Sequence, residues 1–186
     1  MNKVIFPDVN IHAPLIEECR KGSTTAQFRL YNQYSKAMYN LAYRMMNNRE
    51  DAEDILQEAF LECFRNIGSF RFESTFGAWL KSILINRCIN QLRKKKVELV
   101  LSESLPPVMA EEEPEPVYDT VKIFNGIEQL PDGYRIVLTL YLLEGYDHTE
   151  IAQILGITES TSKSQYSRAK EKLRVILSKN QEYGEN

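Results

Sequence analysis

The chain has 186 residues, 43% hydrophobic and 26% charged, with a formal net charge of −3, enough for one ordinary domain or two small ones, each with a modest core. The negative sum excludes a uniformly basic nucleic-acid binder but hides a segregation of sign. Lys81, Arg87, Arg93, Lys94, Lys95 and Lys96 follow one another without an acid, and Glu98, Glu103, Glu111, Glu112, Glu113, Glu115 and Asp119 then follow without a base, as expected where different segments meet different partners.

Residues 1–13 lack periodicity and are expected to form a flexible arm. The apolar run before Pro7 and Asp8 is too short for a signal peptide, and no later segment approaches a membrane span, so a cytoplasmic chain without membrane insertion is expected. Leu15, Ile16 and Cys19, then Phe28, Leu30, Tyr31, Tyr34, Met38, Leu41, Ala42 and Met45, give helical spacing on either side of a Gly22-Ser23-Thr24 break. A third helix starts near Glu50, where acids favour the positive end of the dipole; Leu56, Phe60, Cys63, Phe64 and Ile67 form its inward stripe, and Gly68 closes it. Cys19, Cys63 and Cys88 are odd in number and widely spaced, which suggests buried thiols rather than a disulfide framework or metal site.

The loop Ser69 to Thr75 places Phe70, Arg71, Phe72, Glu73 and Ser74 in a short space, chemistry suited to holding an unstacked base on aromatic faces and polar groups. A plain loop with its phenylalanines folded inward is the alternative. Phe76 to Lys96 reads as a fourth helix, with Leu80, Ile83, Leu84, Cys88, Ile89 and Leu92 inward and Lys81, Asn86, Arg87, Asn90 and Arg93 elsewhere. Trp79 can belong to the core or stack on a base. Pro106, Pro107, Pro114 and Pro116 among glutamates forbid a continuous helix, so an extended tether divides two domains.

Ile123, Ile127 and Leu130, a Pro131-Asp132-Gly133 turn, and Ile136 to Leu143 supply two helices for a small second core. Asp147 and Glu150 then form a capping box, Ile151 and Leu155 share an apolar face, Gly156 ends that helix, and Thr158 caps the next. In the last helix Ser162, Tyr166, Ala169 and Leu173 are read as the inward stripe, with Thr161, Ser164, Gln165, Arg168 and Lys172 opposite. Two short helices about a tight turn, the second polar and cationic, are built as a helix-turn-helix that reads DNA; Ser160, Thr161, Lys163 and Ser164 suit base edges, and Arg168, Lys170 and Lys172 suit phosphate. An ordinary helical hairpin with a solvated charged face is the alternative.

Catalytic chemistry finds little support. There is no Gly-rich phosphate cradle, His12 and His148 are isolated, and His148 in the capped turn reads as structural. Asp51, Asp54 and Glu58 share a helix face without a further ligand type, which suits docking or solvation better than a metal. An all-α chain without cofactor or metal is expected.

The run Asp51-Ala-Glu-Asp-Ile-Leu-Gln-Glu-Ala-Phe60, the run Ser69-Phe-Arg-Phe-Glu-Ser-Thr-Phe-Gly-Ala-Trp79-Leu, Leu130-Pro131, and Gly156 to Lys170 occur in an order that resembles the extracytoplasmic-function group of the bacterial sigma-70 family, from about Leu15 to Leu177. The resemblance implies two small helical domains joined by a flexible acidic linker: region 2 over 14–96, the linker over 97–121, region 4 over 122–178, and a flexible tail over 179–186. It implies a promoter-specificity subunit of RNA polymerase, not an enzyme. Asp51, Asp54, Gln57 and Glu58 would dock on the clamp helices of core RNA polymerase. Phe70, Arg71, Phe72, Glu73, Ser74 and Thr75 would capture a base flipped from the minus-ten element, with Asn86, Arg87, Asn90 and Arg93 on the adjoining promoter DNA. Ser160, Thr161, Lys163, Ser164, Gln165, Arg168 and Lys170 would read the minus-thirty-five element, and the anionic tether would thread near the RNA path. An anti-sigma factor is a common partner in this group.

The usual Gly-Thr-Val-Lys-Ser-Arg run is here Ser160-Thr161-Ser162-Lys163-Ser164-Gln165, an inward aliphatic replaced by serine and an outward arginine by glutamine. Glutamine favours adenine where arginine favours guanine, so a less guanine-dependent contact is expected there. Two rival classes stand beside this expectation: a stand-alone helix-turn-helix regulator that binds DNA without polymerase, and a helical adaptor whose acidic face binds a protein.

Overall fold

The structure is a computed structural model that describes residues 11–95 and 120–182, with side chains in the second stretch as far as residue 179. The expected tether, most of the arm and the end of the tail lie outside the described residues. Those residues form eight α-helices and no strand, and the chain divides after Lys95 into two compact units.

The first unit holds α1 (Ala13–Arg20), α2 (Thr24–Met46), α3 (Arg49–Arg65) and α4 (Phe76–Lys94). Side-chain caps set three of the starts, each satisfying an amide that has no partner within its helix. The Ser23 hydroxyl accepts from Ala26 N at 3.2 Å, the Asn48 carbonyl from Asp51 N at 3.0 Å, and the Thr75 hydroxyl from Ala78 N at 3.1 Å. Asn47 takes a left-handed φ of 51° between α2 and α3, a conformation asparagine tolerates.

The apolar stripes of α2, α3 and α4 meet one another, and α1 packs on α2. Ile16, Leu30, Leu41, Met45, Leu80, Leu84 and Leu92 are fully buried, each contributing about 1.5–3 kcal/mol from leaving water. Gly77 brings α4 close to α2: a Cβ there would stand 3.0 Å from the Tyr34 ring. Cys19, Cys63 and Cys88 are free and buried, and burial pushes the Cys63 and Cys88 thiols up to about 12, so they stay protonated and unreactive.

The second unit holds α5 (Thr120–Glu128), α6 (Asp132–Leu138, continued by a π turn over Thr139–Leu143), α7 (His148–Leu155) and α8 (Glu159–Glu182). Helix α8 runs past the expected end of the domain at residue 178. Ile127, Leu130, Tyr134, Leu138, Ala169, Leu173 and Leu177 form one core cluster, so α5 and α6 lie against α8. Arg135 is inside this unit, 2% exposed; Nη2 pairs with Asp132 at 2.6 Å and Nη1 donates to Leu130 O at 3.1 Å. Those bonds satisfy the buried charge and remove Arg135 from any DNA-facing set.

Candidate nucleic-acid and polymerase interface

The loop between α3 and α4 begins as a 3-10 turn, Ile67–Ser69, that folds Phe70 inward. Phe70 is 2% exposed, its ring 4.9 Å from Phe72, 5.8 Å from Phe76 and 5.2 Å from Trp79 between centroids. Phe70 is therefore a core residue rather than a base-holding ring, because burying an aromatic ring outweighs presenting it. Trp79 is half-buried against Phe70 and Phe76, and Phe72 is half-buried, while Arg71, Glu73, Ser74 and Thr75 are exposed. The Thr75 hydroxyl is engaged as the α4 cap.

On α4, Asn86, Asn90 and Arg93 are exposed at i, i+4 and i+7, one polar face that starts about three turns beyond the loop. Arg87 turns instead toward α3. Its Nε and Nη2 converge on Glu62 Oε2 at 2.6 and 2.5 Å, and Nη1 meets Glu58 Oε2 at 2.9 Å. The hydrogen bond to Glu62 foremost, then the charges of Glu62 and Glu58, hold the Arg87 guanidinium above its ordinary pKa. Lys95 pairs with Asp51 at 2.5 Å. Two of the four acidic-helix residues therefore share ion pairs with the cationic helix, whereas Asp54 and Gln57 are exposed. The sequence offered no sign of Glu62 or Lys95 as partners, since the pairs join residues 25 and 44 apart.

In the second unit the capping box forms as read: Glu150 N donates to Asp147 Oδ1 at 2.8 Å and Asp147 N to Glu150 Oε2 at 2.9 Å. Gly156 takes φ 70°, and the Thr158 hydroxyl accepts from Thr161 N at 3.0 Å. The turn is thus short and fixed, and it aims the start of α8.

Ser160, Lys163 and Ser164 are exposed on α8, and Ser167, absent from the expected set, continues that face at i+7 from Ser160. Lys163 pairs with Glu159 at 2.6 Å, the Lys170 ammonium lies 4.8 Å over the Tyr166 ring, and Thr161 and Arg168 are half-buried.

Gln165 departs from expectation. It is 3% exposed, on the inward stripe with Ser162, Ala169 and Leu173, so its amide does not reach a base edge. Gln165→Ala is therefore expected to select the same upstream sequence as the unaltered protein in a binding-site selection, while costing about 1–2 kcal/mol of stability in urea unfolding through the lost packing.

His148 is structural, as expected. Its Nδ1 shares a 2.9 Å hydrogen bond with Ser162 Oγ, and its ring stacks on Tyr141 at 4.4 Å and meets Tyr166 edge-on at 5.6 Å. The buried serine at the usual aliphatic position is thus satisfied by the histidine that starts α7. Burial first, and the Lys163 charge second, lower the His148 pKa against the opposing pull of Glu159 and Asp147.

The unfolded chain then binds the proton more readily, so this contribution to stability is complete above about pH 6.5 and is lost as pH falls through the lower folded-state value. Urea midpoints should fall between about pH 7 and pH 5.5 more steeply in the unaltered protein than in His148→Gln, which cannot titrate.

Residues 30–97 match the family model for Sigma-70 region 2 and residues 121–173 that for Sigma-70 region 4. SigW, an extracytoplasmic-function RNA polymerase sigma factor of Bacillus subtilis, is 34% identical over 176 residues, spanning 87% of this chain and 94% of the relative. The chain belongs to the extracytoplasmic-function group of the sigma-70 family. SigM of Mycobacterium tuberculosis, another sigma factor of this group, is 29% identical over 167 residues, covering 89% of this chain and 84% of that one. The fold is similar to that of the Bartonella quintana sigma factor RpoE, solved with the anti-sigma factor NepR: the TM-score is 0.55 at 24% identity, over 81% of this chain and 95% of that one. As a sigma factor the chain is a promoter-specificity subunit that binds core RNA polymerase and directs initiation.

Proposed function

We propose a division of labour among the residues of this sigma factor. Region 2, over about 14–96, docks on core polymerase through Asp54 and Gln57, with Asp51 and Glu58 beside them. Arg71, Phe72, Glu73, Ser74 and Thr75 receive a base extruded from the minus-ten element, and Asn86, Arg87, Asn90 and Arg93 hold the adjoining strand and duplex. Region 4, over about 122–178, sets Ser160, Thr161, Lys163, Ser164, Ser167, Arg168 and Lys170 against the minus-thirty-five element. The observation that carries this reading is that each unit has a helix face of exposed polar and cationic side chains, Asn86, Asn90 and Arg93 on α4 and Ser160, Lys163, Ser164 and Ser167 on α8, and that Arg71, Glu73, Ser74 and Thr75 are exposed in the loop that leads into α4.

Melting needs no catalysis by the chain itself: unstacking a base costs about a few kcal/mol, offset by contacts that only an extruded base can make. The polymerase is the catalyst, and the protein acts where the polymerase is, in the cytoplasm. An anti-sigma factor is a further partner in this reading, by analogy with the RpoE complex. The acidic tether between the regions serves as a spacer along the polymerase RNA path.

Run-off transcription with host core polymerase on fragmented genomic DNA tests the assignment. Discrete starts preceded by a shared pair of elements are the expected result. Starts independent of the protein, or tight sequence-specific duplex binding by the chain alone with no effect on transcription, would overturn it in favour of a stand-alone regulator.

A further inference from the structure

Arg20 ends α1, fifty residues before the capture loop, yet most of its side chain is committed to that loop. Its Nε donates to Ile67 O at 3.3 Å and Nη2 donates to Phe70 O, the first residue of the 3-10 turn and the residue that caps it. Its guanidinium carbon lies 5.2 Å from the centroid of the Phe72 ring, and Nη1 is braced by Glu17 at 2.6 Å.

Phe72 has a φ of 57°, and Asn47 is the only other non-glycine residue with positive φ among the described residues. Asparagine tolerates that region, but a bulky aromatic residue there is an outlier. Such a conformation costs about 1–3 kcal/mol and persists only where its surroundings over-determine it. Here the surroundings are identified: the Phe72 ring is in contact with both the buried Phe70 ring and the Arg20 cation.

From these contacts we infer that Arg20 is a positioning residue for minus-ten recognition: by tying the start of the turn and the residue that follows it through hydrogen bonds, and Phe72 further along the loop through a cation–π contact, it fixes the backbone on which Arg71, Glu73, Ser74 and Thr75 are displayed. The role rests on reading the Phe70 to Thr75 loop as the base-capturing element. Arg20 itself need touch no DNA. Without it the loop must be ordered at the moment a base arrives, and that cost is subtracted from the affinity for the extruded base. A lysine does not substitute, because a single ammonium cannot serve two carbonyls and a ring with the reach of a planar fork.

The experiment compares the unaltered chain with Arg20→Lys and Arg20→Ala, each assembled with core polymerase on a promoter fragment recovered by run-off selection. Core affinity, closed-complex binding of the duplex, and promoter opening by permanganate reactivity of unpaired thymines are measured separately. Trp79, the single tryptophan, stands against Phe70 and reports the loop by its fluorescence in the chain alone.

Both variants should open the promoter about tenfold less well, keep core affinity and closed-complex binding within about twofold, and shift the Trp79 emission. Opening at the unaltered rate would overturn the proposal, as would a loss of opening matched by an equal loss of core affinity, or full rescue by lysine. Should run-off selection with the unaltered chain recover no promoter, the proposed function itself fails, an outcome distinct from failure of Arg20's role.

Discussion

Asp54→Lys should lower affinity for core RNA polymerase about a hundredfold, roughly 2.7 kcal/mol, by opposing charge at a docking surface. The folded chain should hardly notice. Asp54 is exposed, whereas Asp51 is held by Lys95 and Glu58 by Arg87, so Asp54 is the acid whose reversal breaks none of the ion pairs between α3 and α4. Its thermal midpoint should stay within about 2 °C of the unaltered chain, as for exposed substitutions generally. Glu53→Lys is the comparison: the same change of net charge on an exposed residue one helical step around from Asp54 and one turn before Gln57, at the margin of the docking face. Equilibrium titration of labelled core should separate the two, with Glu53→Lys weakening binding less than about threefold. Equal losses from both would mean that core polymerase senses only net charge, and unchanged binding by Asp54→Lys would remove this face from the docking surface.

Features set by neighbouring residues are legible in the amino-acid sequence. The capping box at Asp147 and Glu150, the left-handed Gly156, the Thr158 cap and the order of the helices all follow from interactions three or four residues long. The faces that differ from expectation are those decided by packing between distant elements. Gln165 lies three residues after Ser162 and four before Ala169, so helical spacing places it at the edge of the inward stripe. Its polarity argues for outside. Contacts of α8 with α5, α6 and α7 together widen the buried stripe of that helix and draw Gln165 in. Phe70 misleads for a related reason: a short 3-10 turn within a polar loop carries it under Phe76 and Trp79. Arg20 has no local signal, since its carbonyl partners lie 47 and 50 residues away.

Arg87 and Glu62 should give opposite phenotypes, although they are partners in one ion pair. The side chains of Arg87, Glu62 and Glu58 are 38%, 34% and 58% exposed, so solvent screens these pairs and together they are worth only about 1 kcal/mol to the fold. A charge-assisted contact from Arg87 to promoter DNA is worth more, about 1.5–3 kcal/mol. Arg87→Ala is therefore expected to reduce promoter opening by holoenzyme about tenfold to a hundredfold, and to flatten the dependence of log affinity on log salt by about 0.7–0.9, one phosphate's worth of counterions. Glu62→Gln removes the carboxylate that competes for the same guanidinium and lies outside the docking set; it should leave the salt slope intact and raise affinity for a forked promoter fragment. If the pair only held α3 against α4, both substitutions would weaken the chain alike and neither would alter the salt slope. The contrast in direction, measured on forked DNA at several salt concentrations, distinguishes an arginine shared between acid and DNA from one that merely ties two helices together.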